Sequence, residues 1–127
     1  GSAVNLVVSS GPAPGTMHVG DLDGTGSAAV WWWWTAQATI TVHDGNHAPV
    51  AGVLVSGTGS AGGASASASC TTNSAGQCTV SSTVWIWVAS ASFTVNGLSG
   101  GGLTYESTAN HDPDGSSNGT TVSVNRL

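Results

Sequence analysis

The chain of 127 residues has almost no positive charge: it contains no lysine and one arginine, Arg126, against six acidic side chains. A protein that binds duplex DNA or RNA needs a basic surface to neutralise phosphates, so this composition excludes nucleic-acid binding of that kind. No apolar run approaches the roughly 18–20 residues of a membrane span, and no charged start followed by an apolar segment marks a signal peptide. We therefore expect a mature or trimmed chain that forms a single domain over residues 1–127.

Residues that favour helices are also scarce, and no long segment has an apolar period of 3.6 residues. Disorder would require a high charge, whereas 6% of the residues are charged. Apolar and polar residues instead alternate with period two in residues 4–8, 36–42, 53–55, 64–70, 78–88, 93–95 and 122–124. Seven short strands separated by Gly, Asn, Asp and Pro clusters predict an all-β fold, an antiparallel β-sandwich. Residues 1–16 are predicted to form an N-terminal strand and a Gly/Pro-rich lead-in.

The two cysteines, Cys70 and Cys78, flank a predicted hairpin turn at residues 73–76 and share the inward phase of the segments on either side. An even cysteine count in a chain rich in Ser, Thr and Gly is typical of an oxidising compartment. A metal pair or a catalytic thiol are the alternatives, but the spacing is not C-x-x-C and no basic neighbour would activate a thiol. We predict a structural disulfide across the hairpin and a secreted, extracellular protein.

Two stretches of the chain carry a recognisable pattern. Residues 43–55 read HDGNHAPVAGVLV and residues 70–80 read CTTNSAGQCTV. The first resembles the D-x-N-x-x-P-V-x-G-x-x-V stretch of bacterial immunoglobulin-like domains, and the second resembles their T-T-x-x-x-G-x-x-T-V hairpin with paired cysteines. Together with residues 17–24 and 110–115, the chain is similar to modules appended to the C-terminus of secreted bacterial hydrolases, proteases among them. The resemblance implies an immunoglobulin-like sandwich without an active site of its own.

All six tryptophans lie in two clusters, at residues 31–34 and 85–87. The bacterial domains have polar or basic residues at these places, which indicates an engineered or selected variant. By the alternation of the flanking segments, Trp32 and Trp34 are predicted to point inward. The tryptophans predicted to point outward are Trp31, Trp33, Trp85 and Trp87.

An immunoglobulin-like topology would place both tryptophan clusters at the same end of the sandwich. Four outward rings would form an apolar patch larger than a monomer usually exposes, unless longer strands cover them. Such a patch fits a non-catalytic accessory module that binds a protein, or a carbohydrate stacked on the indole faces. The alternative is a structural unit that self-associates into oligomers or filaments. Membrane anchoring is disfavoured because no cationic residues accompany the rings.

Two D-x-D-G motifs are candidate metal sites. Closely spaced aspartates on glycine turns supply the hard oxygen ligands that Ca²⁺ prefers. Aspartates also favour turns because they bond to their own backbone, so plain turns are the alternative. The calcium candidates, in order of preference, are Asp112 and Asp114, then Asp21 and Asp23.

The histidines suggest no metal site at this stage. His43 and His47 are four positions apart, a spacing that binds zinc when it lies on a helix. The intervening glycine and the following proline exclude a helix there, so we predict no zinc pair. His18 and His111 neighbour aspartates and are assigned to turns or to the surface.

Ser99 is the one candidate catalytic nucleophile, because it is the centre of a sequence at residues 97–101 that matches the G-x-S-x-G motif. A nucleophile elbow requires a strand followed by a helix, and no helix is predicted after this segment. A phosphate-binding loop of the Walker type is excluded because the chain has no lysine. We therefore expect no enzymatic activity.

Overall fold

A computed structural model describes residues 15–127 as two four-stranded β-sheets that form a sandwich. The first sheet has the order β5-β2-β1-β7 and the second has the order β4-β3-β6-β8. All neighbouring strands are antiparallel except β1 and β7. The strands are β1 (Thr16–Gly26), β2 (Trp33–Asp44), β3 (Leu54–Ala61), β4 (Ala64–Thr71), β5 (Gln77–Trp85), β6 (Ser90–Ser99), β7 (Thr104–Tyr105) and β8 (Thr121–Asn125).

The predicted all-β sandwich is confirmed. One short 3-10 turn, Ser107–Ala109, interrupts the strands in the described part of the chain, which has no helix long and apolar enough to cross a membrane. The strand predicted at residues 4–8 lies outside the described residues.

Strand β1 is the largest difference from the sequence prediction, which assigned its D-x-D-G motif to a turn. The pairing of β1 with β2 shifts register between Val19 and Asp21, so the strand contains a bulge. Met17, Val19 and Leu22 are fully buried in the core. Because side chains alternate along a strand, the bulge places both His18 and Asp21 on the outer face. Because the bulge interrupts the alternation of apolar and polar residues, the period-two pattern did not predict this strand.

The core between the sheets has two parts. The smaller part surrounds Trp34, which is 2% exposed, with Ala36 and Val84 from the first sheet and Val124 from the second. Trp34 therefore points inward, as its phase along β2 predicts. The larger part contains Met17, Val19, Leu22, Ala38, Ile40, Val42, Val53, Val55, Phe93, Val95, Leu98 and Val122.

The predicted disulfide between Cys70 and Cys78 is present, with the two Cα atoms 5.8 Å apart. It spans the turn between β4 and β5, which pair with β3 and β2 respectively. The bond therefore joins edge strands of the two different sheets. Gly76 closes the turn with a φ of 75°, and a Cβ atom there would lie 2.8 Å from the carbonyl oxygen of Val42. The turn consequently requires glycine at this position.

Reduction of this disulfide is expected to lower the free energy of unfolding by about 2.6 kcal/mol, since the bond closes a loop of roughly nine residues in the unfolded chain. Urea unfolding with and without reductant measures the change. The double variant Cys70→Ser/Cys78→Ser is the control, because reductant should leave its midpoint unchanged. Equal midpoints for the oxidised and reduced wild type would contradict the prediction.

Candidate functional site

A tight turn at the start of β2 determines where the first tryptophan cluster points. The N–H of Val30 donates to the carbonyl of Trp33 at 2.7 Å, and the reverse bond measures 3.2 Å. Trp31, with a φ of 60°, and Trp32 occupy the tip between them. Because β2 begins only at Trp33, its alternation does not extend to Trp32, whose side chain is 56% exposed. The predicted inward orientation of Trp32 is therefore wrong.

The two tryptophan clusters meet, as the topology argument predicts. Trp33 and Trp85 are directly opposite each other on β2 and β5, and their rings stack with centroids 4.2 Å apart. The rings of Trp32 and Trp87 lie side by side at 6.3 Å. All the predicted outward rings are exposed, Trp31 most of all. We call the set the tryptophan surface: Trp31, Trp32, Trp33, Trp85 and Trp87.

The sixth tryptophan fixes the base of this surface. The indole N–H of Trp34 donates to the carbonyl of Val88 at 2.8 Å, which ties β2 to the segment that carries Trp85 and Trp87. Arg126 binds the carbonyl of Ile86 through its guanidinium group and the carbonyl of Ala89 through its backbone N–H. The exposed rings therefore project from a backbone that is held from below.

A groove of about 370 Å³ runs between the edge strands β4 and β5 and reaches the tryptophan surface. It exists because β4 alternates Ala and Ser, whose side chains are too short to close the gap between the sheets. Ala36, Ala38 and Phe93 are among the core residues that line the groove, and Trp85 lines its end. Trp85 is thus shared between the groove and the tryptophan surface.

The two D-x-D-G motifs come together on the outer face of β1. The loop before β8 is held there because the side-chain oxygen of Asn110 accepts the N–H of Val19 at 2.8 Å, and the N–H of His111 donates to the carbonyl of Val19 at 3.0 Å. The hydroxyl of Ser116 lies 2.9 Å from an oxygen of Asp23 and 3.0 Å from one of Asp112. Each of four carboxylates offers an oxygen within 4.8 Å of the others: Asp21, Asp23, Asp112 and Asp114.

Negative charge is concentrated in this acidic cluster. One oxygen of Asp21 is buried and has no hydrogen-bond partner among the described residues. A hydrogen bond with Asp112, partial burial and the neighbouring carboxylates raise the pKa of Asp21 to about 7. Burial works against ionisation of Asp112, but hydrogen bonds from Asp21 and from the N–H of Ser117 lower the pKa of Asp112 overall. Four oxygen donors at this spacing suit Ca²⁺, and the calcium site stays a prediction.

All four histidines of the chain also gather beside β1, a contact that the sequence analysis missed. His18 and His43 are opposite each other on β1 and β2. His47 lies in the following turn, with its ring centroid 5.2 Å from that of His18, and the ring of His111 lies 5.3 Å from His18. The sequence did contain a sign of this contact. His18 and His111 each precede a D-x-D-G motif, so a contact between the two motifs also brings these histidines together.

Ser99 is not part of either cluster. It lies at the exposed end of β6 in the second sheet, whereas His18 and His43 belong to strands of the first sheet. No protein-family model matches the chain, and comparisons with curated proteins and with solved structures find no match.

Proposed function

We propose that the protein is a non-catalytic binding module that holds a protein partner against its tryptophan surface. The observation that carries the proposal is the exposure of five of the six tryptophans at one end of the sandwich. A whole tryptophan side chain has about 150–250 Å² of mostly apolar area. Because the five residues are 40–84% exposed, together they still form an apolar patch of several hundred Å², the size that marks interaction sites. Surfaces of this kind mark sites where another molecule is bound.

The rings are held in place before any partner arrives. Trp33 and Trp85 stack across paired strands, and the buried Trp34 fixes the backbone beneath them. Tryptophan has few rotatable bonds, so ordering it on binding costs little conformational entropy. Rings that are already positioned lose less free energy on association than mobile side chains do.

The groove favours an extended polypeptide as the partner. Its walls are β4 and β5, each the edge strand of its sheet within the described residues. An edge strand offers unpaired backbone N–H and C=O groups to which an extended segment can add as a further strand. Such a segment could place apolar side chains in the groove and reach the tryptophan surface at Trp85. The disulfide fits a secreted accessory module that carries out this binding outside the cell.

Self-association is the alternative, since β4 and β5 could also pair with a second copy. Light scattering behind size exclusion, over a hundredfold range of concentration, separates the two. A binding module keeps a mass near 12.4 kDa throughout. A mass that rises with concentration would contradict it and favour a self-assembling unit.

Peptides selected from a library of extended segments are expected to bind the wild-type protein at the tryptophan surface. Buried aromatic anchors contribute about 2 kcal/mol or more each, so replacing the predicted contact residues should weaken binding at least about tenfold. Fluorescence anisotropy of labelled peptides measures the affinity. The test variant, the fourfold tryptophan variant, replaces four residues with serine at once: Trp31, Trp33, Trp85 and Trp87.

Leu54→Ser is the matched control, because Leu54 is an exposed apolar residue at the start of β3, whereas Ala61 at the other end of β3 packs beside Trp34. The control should bind the peptides as the wild type does. Unchanged affinity in the fourfold tryptophan variant would place the partner elsewhere and contradict the proposal.

A further inference from the structure

We propose that His18, His43 and His47 bind a divalent transition-metal ion, with Zn²⁺ as the first choice. Each of these imidazoles offers a nitrogen within 4.8 Å of the nitrogens offered by the other two. With Zn–N bonds of about 2.0–2.1 Å, a tetrahedral site places its ligand nitrogens about 3.4 Å apart. The three nitrogens, at separations of 4.8 Å or less, are therefore at most about 1.4 Å farther apart than a bound ion would hold them. The site is independent of the tryptophan surface.

Two buried imidazole nitrogens without a hydrogen-bond partner are the strongest support for this site. Nε2 of His18 and Nδ1 of His43 are buried and make no hydrogen bond with any residue of the described range 15–127. His18 as a whole is 1% exposed. Leaving a buried polar atom unpaired costs about 1–3 kcal/mol, and proteins rarely retain such atoms without a reason. A metal ion accepts the lone pair of a neutral imidazole and removes that cost.

The imidazoles of His18 and His43 are also in the protonation state that metal binding requires. Burial, together with the neighbouring rings of His111, His47 and His43, lowers the pKa of His18 to about 4. Burial and the rings of His47 and His111 also lower the pKa of His43. Both side chains are therefore neutral near pH 7, and each has a free lone pair to donate.

The surrounding backbone positions the rings. A Cβ atom at position 20 would lie 2.1 Å from Nδ1 of His43, so only glycine leaves space for that ring. A carboxylate oxygen of Asp44 accepts the N–H groups of Asn46 and Ala48, which fixes the turn that carries His47. His47 has a φ of 64°, a conformation that few residues other than glycine adopt. The turn thus holds an uncommon backbone geometry that directs His47 to the other rings.

His111 lies against the same set of rings. Its Nδ1 is 3.1 Å from the carbonyl oxygen of Ala109, and its ring centroid is 5.6 Å from that of His47. His111 is joined directly to Asp112, so the imidazole site and the acidic cluster are adjacent but differ in chemistry. Imidazoles select Zn²⁺ and related ions, whereas carboxylates select Ca²⁺.

Calorimetric titration with Zn²⁺ tests the proposal on the whole chain. The protein is first stripped with EDTA, exchanged into buffer and supplied with excess Ca²⁺, which occupies carboxylates but competes poorly for imidazoles. We expect one Zn²⁺ per chain and a higher melting temperature. Titration with Co²⁺ should produce the visible absorption of a nitrogen-bound ion. Absence of saturable Zn²⁺ binding at neutral pH would overturn the proposal.

The variant His47→Asn removes one ligand with the least disturbance. His47 is exposed, and Asn tolerates the left-handed backbone at this position. We expect the Zn²⁺ affinity to fall at least about tenfold while the metal-free melting temperature stays at the wild-type value. Asn46→Ser, in the same turn, is the control and should bind Zn²⁺ as the wild type does. Equal Zn²⁺ affinity in His47→Asn and the wild type would overturn the assignment.

Discussion

Replacing Trp34 with alanine is expected to lower the free energy of unfolding by about 3–5 kcal/mol, the usual cost of removing a buried aromatic side chain. Trp34 fills the smaller part of the core and contacts both sheets, through Val84 in the first and Val124 in the second. The cavity cannot close easily from this side, because the backbones of Gly26 and Asn125 are already so close that a Cβ atom at position 26 would lie 2.0 Å from the carbonyl oxygen of Asn125. Urea unfolding followed by circular dichroism measures the change.

Trp34→Phe separates the packing of Trp34 from its hydrogen bond. Phenylalanine keeps most of the apolar volume but loses the indole N–H that donates to Val88. The expected loss is about 0.5–1.5 kcal/mol, the usual net contribution of one hydrogen bond, because the bond to the carbonyl of Val88 is only partly buried. A loss in Trp34→Ala no larger than that in Trp34→Phe would show that cavity formation contributes nothing.

Adding Ca²⁺ to the metal-free protein is expected to raise the free energy of unfolding by about 2.7 kcal/mol when its concentration is a hundred times its dissociation constant. The folded chain brings together four carboxylates that are far apart in the unfolded chain. The chain has no lysine, and its single arginine is bound to Ile86. A bound cation removes the repulsion that folding creates. Melting curves in EDTA and in Ca²⁺ test this, and identical curves would contradict it.

The stabilisation by Ca²⁺ is expected to shrink as the pH falls from about 8 to about 6. The pKa of Asp21 is raised to about 7 in the folded, metal-free protein, above its ordinary value. The folded state therefore takes up a proton as the pH falls through 7. That proton stabilises the metal-free protein and competes with Ca²⁺.

At each pH, the melting temperature without Ca²⁺ is subtracted from the melting temperature with Ca²⁺, so pH effects that Ca²⁺ does not alter drop out. Asp21→Asn should reduce the rise in melting temperature that Ca²⁺ causes near pH 8. Glu106 is an acidic residue outside the cluster, so Glu106→Gln should leave that rise unchanged. A Ca²⁺-induced rise in melting temperature that grows as the pH falls would contradict the assignment of the raised pKa to Asp21.

Local patterns were sufficient for most of the strands and for the disulfide. The alternation from Trp34 to Val42 fixes both β2 and its buried face, because a strand exposes alternate residues to opposite sides. The same rule placed Trp33 and Trp85 outward. It failed for Trp32, because Trp32 lies in the turn closed by Val30 and Trp33, and β2 begins one residue later at Trp33. The alternation itself carries no sign of where a strand stops.

Composition and local patterning predict an all-β chain, the turns at residues 44–49 and 73–76, the disulfide and the residues that can bind a partner or a metal. Which of these residues meet depends on how the sheets and loops pack. The N–H of Leu22 donates a hydrogen bond to the carboxylate of Asp112, which is 90 positions away in the chain. The bulge in β1 turns His18 and Asp21 to the same outer face. Alternation and turn preferences act over only a few residues. The histidine and aspartate clusters depend instead on strand register and on a loop that packs against a distant strand.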